Sequence, residues 1–426
     1  MIINSRKIGL EKLNFNAFLL FAFSLNFPQP IIEYTLGFWV ITSFFCIDYK
    51  QKPTIKKVYY IPLFLISFLI LGRIIVSITH HDFPFLLIKL LDTQLSLLLL
   101  PILLIFQVNR YFNLKRVLFA YIIGSSISCI IAVTYFYLYR YNIFSGGSAD
   151  GIPLGTNIHK LTDDIFIFQH FISPYFKHRA AMGVNLSLSI ASLIYLIKTS
   201  EKLSFYKIIA AFLVVTFLSV VLYSTGSRSG IISLIFVFLF STVYMFRRKR
   251  IVFITFLLIG ALITGLSSLK TTRISADESK NSSQNDISRI DPRIQIWKSA
   301  LKIIDKNVWL GVGYSNVKPA LLQEYKERGL NQDLAGRFNS HNQFLQFALE
   351  SGIWASIIFA LILLPIYFAR RIYFLSLSFS TVFTIYSMFE DTFIIINGVT
   401  VFVFFIALLV LAQKKMQITN NRNYIT

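Results

Sequence analysis

The chain has 426 residues, of which 55% are hydrophobic and only 14% are charged. A typical soluble domain is about 25% charged, and one water-soluble core cannot bury this much apolar surface. A soluble enzyme is therefore excluded. Apolar runs of about 20 residues follow one another along the chain, which indicates a polytopic membrane protein.

The formal net charge of +21 does not indicate nucleic-acid binding, because Lys and Arg stand in short clusters between apolar runs. Such clusters orient a membrane protein. The two cysteines, Cys46 and Cys129, lie inside apolar runs and are interpreted as small buried hydrophobic residues.

The hydropathy pattern predicts an all-α integral membrane protein with about 12 transmembrane helices. The predicted spans are 15–30, 31–47, 58–78, 83–107, 115–138, 179–198, 205–224, 229–246, 251–268, 341–368, 372–389 and 392–412. The chain then divides into helices 1–5 (1–138), an outer loop (139–178), helices 6–9 (179–268), a large outer loop (269–340), helices 10–12 (341–412) and a tail (413–426).

Basic clusters alternate from loop to loop, which predicts that both termini lie in the cytoplasm. The first apolar stretch has no small-x-small cleavage site, so it is interpreted as a retained span. Among the short outer turns, only the one that begins span eight carries a basic residue, Arg228.

The large outer loop is predicted to contain short helices. Arg293 to Lys306 has apolar residues at helical spacing, Gly311-Val312-Gly313 interrupts the chain, and a second helix is predicted from Pro319 to Arg328.

Ionisable residues inside predicted spans are functional candidates. Arg73, Lys89 and Asp92 all fall in the outer half of the membrane, which indicates a polar cavity open to the outside. Two alternatives stay open. Arg73 could extend its guanidinium to the headgroups, and Lys89 and Asp92 could form a structural pair, because residues three apart share a helix face.

Arg228 stands between small residues, in Gly226-Ser227-Arg228-Ser229-Gly230, at the start of a predicted helix. Helix N-termini favour anions, and a guanidinium suits phosphate oxygens. The pattern indicates an anionic ligand.

His341 and Asn342 stand where the large outer loop re-enters the membrane, and Gly352 is expected beneath His341 on the same helix face. The imidazole could accept a proton from a hydroxyl group, or it could simply cap a helix. His80-His81-Asp82 is weak evidence for a metal, and no metal is assigned. His159, His170 and His178 have no assigned role.

The arrangement resembles the bacterial O-antigen ligases and O-antigen polymerases, most closely over 205–412. The resemblance rests on Ser227 to Gly230, on Arg293 with Trp297 and Ala300 leading to Gly311-Val312-Gly313, on His341-Asn342-x9-Gly352, and on Phe389-Glu390-Asp391.

This resemblance implies transfer of a glycan from undecaprenyl pyrophosphate to an acceptor sugar hydroxyl, on lipid A core or on another glycan, at the periplasmic face of the bacterial inner membrane. It implies no cofactor, metal or nucleic acid. His341 would be the general base, with Asn342, Gly352, Asp92 and Glu390 in support. Arg228 and Arg293 would hold the pyrophosphate. We add Arg73 and Lys89 as further residues of the donor pocket. Arg293 could instead cap its helix near Asp291.

Two other classes compete with this reading. A twelve-span transporter or lipid flippase would commonly show two related halves, which the sequence lacks. A structural membrane scaffold would leave the outer-half charges without a role. Ligase and polymerase share donor and residue types, and the histidine motif favours the ligase.

Overall fold

The computed structural model describes residues 2–47, 57–107, 109–140, 179–200, 204–245, 292–329, 339–368, 370–394 and 396–423. These residues form helices and no β-strand, apart from an isolated bridge between Ile47 and Gln107. The predicted ninth span (251–268), most of the first outer loop and residues 269–291 lie outside the described residues, as do His159, His170 and His178.

Fifteen α-helices occur in the described residues. They are α1 (Ile2–Ser24), α2 (Gln29–Phe44), α3 (Ile61–Thr79), α4 (Phe83–Asp92), α5 (Leu95–Phe106), α6 (Leu114–Arg140), α7 (Arg179–Thr199), α8 (Phe205–Ser224), α9 (Arg228–Met245), α10 (Pro292–Lys306), α11 (Val317–Glu327), α12 (Gln343–Ser351), α13 (Ile353–Ile362), α14 (Tyr373–Phe389) and α15 (Ile396–Asn423). Short 3-10 turns precede α3 (Lys57–Tyr60) and α14 (Pro365–Tyr367, Arg370–Ile372).

Six described helical segments are long and apolar enough to cross a membrane, or seven if α4 and α5 count as one span. The six are Val58–Thr79, Leu114–Tyr135, Arg179–Thr199, Phe205–Ser224, Arg370–Phe389 and Ile396–Gln417. Helix α3 exposes Phe64, Phe68, Leu71 and Ile75, a face that suits lipid better than water. The chain is thus an all-α membrane protein, while the count of twelve spans remains a prediction.

The chain divides into two compact units, one formed by Met1–Phe45 and Tyr111–Gly265, the other by Cys46–Arg110 and Leu266–Thr426. In the first unit, α7 is almost wholly buried. It meets α9 where Gly183 and Gly230 face each other, so closely that a Cβ on either would lie within 3.1 Å of the other's Cα. Tyr121 in α6 donates to the carbonyl oxygen of Asn185 in α7 at 2.7 Å.

The predicted fourth span is not one straight helix. Helices α4 and α5 meet at an angle of 66°, and the break falls at Thr93 and Gln94. The Gln94 side chain is buried and donates to the carbonyl oxygen of Phe393 at 2.9 Å. Hydropathy does not show this bend, because both halves are predominantly apolar.

The predicted tenth span is also broken, and Gly352 does not lie beneath His341 on a shared helix face. Gly352 has φ +97° and separates α12 from α13. The last carbonyl groups of α12 accept instead from the Gly311-Val312-Gly313 segment, since Val312 N–H bonds to Leu349 O at 2.7 Å and Gly313 N–H to Glu350 O at 3.2 Å. This segment therefore closes the C-terminal end of α12.

Gly352→Ala should destabilise the protein by about 2 to 4 kcal/mol. An added Cβ would lie 2.2 Å from the carbonyl oxygen of Trp309, at a φ that alanine rarely adopts. Gly37→Ala is the matched control, because a Cβ there meets nothing within 4 Å. Thermal unfolding of the detergent-solubilised protein measures both, and equal stabilities of the two variants would contradict the prediction.

Candidate active site

The centre of the candidate site, in the second unit, is the turn formed by residues 340–342, which the Asp391 carboxylate holds. Its Oδ1 accepts from the Ser340 hydroxyl at 2.8 Å and from the Asn342 N–H at 2.9 Å, and its Oδ2 accepts from the His341 N–H at 3.1 Å. One carboxylate thus holds three consecutive residues. His341 has φ +48° within this turn, unusual for a residue that is not glycine.

Asn342 converts the turn into the start of a helix. Its side-chain oxygen accepts from the N–H groups of Phe344 and Leu345, at 2.9 and 3.2 Å, which is the standard role of an N-cap asparagine. The capping role thus belongs to Asn342, and the His341 side chain stands just before α12.

Glu390 connects His341 to Arg293. Its Oε1 accepts from Arg293 Nη2 at 3.2 Å, and its Oε2 lies 3.7 Å from His341 Nδ1. The second distance is longer than a hydrogen bond but within ion-pair range. The sequence had named all three residues as site candidates, and the structure brings them together.

These three side chains are accessible from outside the protein. The exposed fractions are 31% for His341, 26% for Arg293 and 18% for Glu390. Among the hydrogen bonds and ion pairs between described residues, none involves Nε2 of His341.

Helix α10 is held against this site by aromatic contacts. Trp297 Nε1 donates to the Ser340 carbonyl oxygen at 3.1 Å, and its ring centroid lies 6.3 Å from that of Phe389. The Arg293 guanidinium lies 6.0 Å from the same Phe389 ring. The predicted amphipathic helix from Arg293 to Lys306 is thus present as α10, and it directs Arg293 toward Glu390.

Asp391 is buried, and this burial raises the pKa of its carboxyl group to about 6. The bonds from Ser340, His341 and Asn342 oppose the rise, because each favours the ionised form. The charged form is therefore maintained at neutral pH by these three donors, together with the electrostatic effect of His341.

Arg73 lies in surroundings that the sequence did not predict. Its guanidinium forms an ion pair with Glu350 at 2.8 Å, both side chains being 4% exposed. It also donates to Gln94 Oε1 at 3.0 Å and lies 5.0 Å from the Phe347 ring centroid. The sequence predicted that Arg73 would contact either the lipid headgroups or the donor pocket. In the structure its side chain is buried among protein groups. Pairing with Glu350 is what makes its burial tolerable.

Lys89 forms no ion pair with Asp92, so the structural pair, one of the alternatives that the sequence left open, is not present. Its ammonium group donates to the carbonyl oxygen of Ile394, while Asp92 is exposed at the end of α4. Gln94 and Gln343 bind the carbonyl and the N–H of Phe393, at 2.9 and 2.8 Å. Lys89, Gln94 and Gln343 therefore fix the loop of residues 390–394, which carries Glu390 and Asp391.

Arg228 belongs to the first unit and is exposed at the first position of α9. The preceding residue, Ser227, caps this helix, since its Oγ accepts from the Gly230 N–H at 3.0 Å.

The His80-His81-Asp82 motif has a structural explanation. Asp82 is buried and accepts from the Ser77 hydroxyl and, at 2.9 Å, from the Ser315 N–H. His80 Nε2 lies 3.3 Å from the Leu310 carbonyl oxygen. The motif thus contacts the segment that closes α12. No group of three or more His, Cys, Asp or Glu side chains suited to a metal occurs in the part of the chain described.

Sequence reasoning missed Glu350, Gln94 and Gln343 and named Asp391 only within a motif. Glu350 carried a usable signal, since it is an acidic residue in a predicted membrane span and so needs a partner. Gln94 and Gln343 carried none, because uncharged amides occur freely near helix ends.

The fold and this site define an α-helical membrane protein with an accessible histidine, carboxylate and arginine cluster. Residues 211–360 match the family model Wzy_C, described as O-antigen ligase. This match over residues 211–360 confirms the family resemblance seen in the sequence. The match includes Arg228, Arg293, His341 and Gly352, and it ends before Glu390. No curated protein matches the chain with significance.

Asp391→Asn should change how stability depends on pH. The folded-state pKa lies above the usual value near 3.8, so folding takes up a proton, and the stability from this group falls as pH rises from about 4 to about 6. The variant should lose this contribution to the slope and also weaken the turn, since an amide nitrogen cannot accept a bond. Asp305→Asn, at an exposed position on α10, is the control.

The measurement is thermal unfolding of both variants and the unmodified protein between pH 4 and pH 8. Parallel curves for Asp391→Asn and Asp305→Asn would show that the Asp391 carboxyl does not have the raised pKa.

Proposed function

We propose that the protein transfers a glycan from undecaprenyl pyrophosphate to an acceptor sugar hydroxyl on lipid A core, as an O-antigen ligase. The observation that carries this proposal is the contact of one carboxylate, Glu390, with both a candidate base, His341, and a candidate phosphate ligand, Arg293. The family match supports the same chemistry.

In this reaction Nε2 of His341 takes the proton from the acceptor hydroxyl. The hydroxyl oxygen attacks the anomeric carbon of the donor sugar, and the bond from that carbon to the pyrophosphate oxygen breaks. Undecaprenyl pyrophosphate leaves with the electron pair. Arg293 stabilises the charge that develops on the leaving group.

Arg228 is proposed as the second pyrophosphate ligand. The support is its match to the Ser-Arg-Ser-Gly pattern of the family and its exposed place at the start of α9. Arg73 and Lys89 were predicted to contact the donor. Their contacts with Glu350 and with the Ile394 carbonyl oxygen favour a supporting role, in which they fix α12 and the 390–394 loop.

Glu390 links donor binding to base activation. Arg293 donates a hydrogen bond to Glu390. A pyrophosphate that draws Arg293 away leaves more of the carboxylate charge to His341, whose Nδ1 is already 3.7 Å from it. A carboxylate on the far side of an imidazole orients the ring and stabilises its protonated form.

The proposed setting is the bacterial inner membrane, with both termini in the cytoplasm and residues 269–340 and the site on the periplasmic side. The basic clusters between apolar runs support this orientation. Membrane lipids surround the spans, and no cofactor takes part in the proposed step.

His341→Ala should abolish glycan transfer, with loss of at least a hundredfold in rate. The fold should survive, because Asp391 binds the main chain of the turn rather than the imidazole. The measurement is transfer of labelled glycan from undecaprenyl pyrophosphate by purified protein, with lipid A core and a lipid-linked glycan offered separately as acceptors.

Normal transfer by His341→Ala would remove this residue from the mechanism. Product with only the lipid-linked acceptor would show that the protein is a polymerase, and movement of intact donor across vesicles without transfer would show a flippase.

Glu390→Gln should lower kcat by about tenfold or more, because it removes the charge that orients the His341 imidazole and stabilises its protonated form. Glu390→Asp keeps the charge and should retain more activity than Glu390→Gln. The measurement is the kcat of both variants in the labelled-glycan assay. An unchanged kcat in Glu390→Gln would contradict the linking role.

A further inference from the structure

The first unit contains a groove that the proposed reaction does not use. It has a volume of about 650 Å³ and is lined by α6, α7 and α8. This volume lies within the range of sites that hold small organic molecules. The groove is formed entirely by residues of one compact unit.

The walls of the groove are apolar for most of its length. Phe119, Ile123 and Ile127 line it from α6, Leu193 from α7 and Val214 from α8. From Lys115 to Ile127 the groove follows α6 for about 18 Å at 1.5 Å per residue. This length is close to the depth of one leaflet, about half of a 30 Å hydrocarbon core.

One end of the groove is strongly basic. Lys115 and Arg116 in α6 and Lys207 in α8 line this end and are exposed, and none of the described residues that line the groove is acidic. Helices α6 and α8 both begin here, at Leu114 and Phe205, so their positive dipole ends add to the charge. Lys115 also donates to the Thr199 carbonyl oxygen at 3.4 Å, which fixes its ammonium group at the rim.

We propose that this groove binds an anionic glycerophospholipid, with its phosphate at Lys115, Arg116 and Lys207 and an acyl chain along the apolar wall. The two ends of the groove match the two parts of such a lipid. The basic end is also the one that the charge pattern predicts to be cytoplasmic, where basic pockets between helices hold anionic headgroups. The proposal is independent of the proposed function.

The test uses the full-length protein in neutral detergent with phosphatidylglycerol and phosphatidylcholine of identical acyl chains, and in a second mixture with phosphatidylglycerol and a polyprenyl phosphate. Bound lipid is read by native mass spectrometry. The unmodified protein should retain more phosphatidylglycerol than phosphatidylcholine. K115Q/R116Q/K207Q should bind phosphatidylglycerol at least about tenfold more weakly than the unmodified protein. K298Q/K306Q/K326Q removes the same charge from exposed positions on α10 and α11 and should bind as the unmodified protein does.

Ala210→Phe tests the apolar wall, because Ala210 lines the groove from α8. It should reduce retention of phosphatidylglycerol, and thermal unfolding in detergent verifies that each variant is folded. Glycerol 3-phosphate, which has the anion without acyl chains, should not displace the lipid.

Three results would overturn the proposal. Equal retention of the two lipids by the unmodified protein would show non-selective boundary lipid. Equal loss in both triple variants would show a general charge effect. Preferential retention of a polyprenyl phosphate, lost in K115Q/R116Q/K207Q, would assign the groove to that lipid class.

Discussion

The candidate site depends on one buried carboxylate that holds the main chain of its neighbour. Asp391 joins the turn of residues 340–342 to the 390–394 loop through three hydrogen bonds. Without them, the left-handed conformation of His341 would have no compensation, and Glu390 would have no fixed relation to the imidazole. The cost of burying the charge is visible in its raised pKa, and the three donors offset that cost.

A second layer of polar contacts supports this junction. Helix α12 carries Gln343, which binds Phe393, and Glu350, which binds Arg73 two turns further on. Gln94, at the bend between α4 and α5, binds both Arg73 and Phe393. Arg73, a charged residue inside a predicted span, thus contacts two of the residues in this second layer, Glu350 and Gln94.

Composition and periodicity predicted the helical class, the membrane setting and the amphipathic helix at Arg293, because these follow from local patterns. The Asn342 cap is local as well. The breaks at Gln94 and Gly352 were not predictable, since each depends on packing against residues far along the chain, Phe393 and Trp309. The Arg73–Glu350 pair joins positions 277 residues apart, which no local pattern reveals.

The hydrogen bonds to Asp391 hold the main chain of the 340–342 turn and do not involve the His341 imidazole. Two of these bonds are donated by the main-chain N–H groups of His341 and Asn342, and every amino acid except proline provides such a group. The side chain at position 341 can therefore be exchanged during evolution while the turn persists. Asparagine and glycine, which tolerate positive φ, would fit this backbone most easily. A related protein could therefore have the same turn without a histidine at this position. The turn alone would not show that such a protein is active.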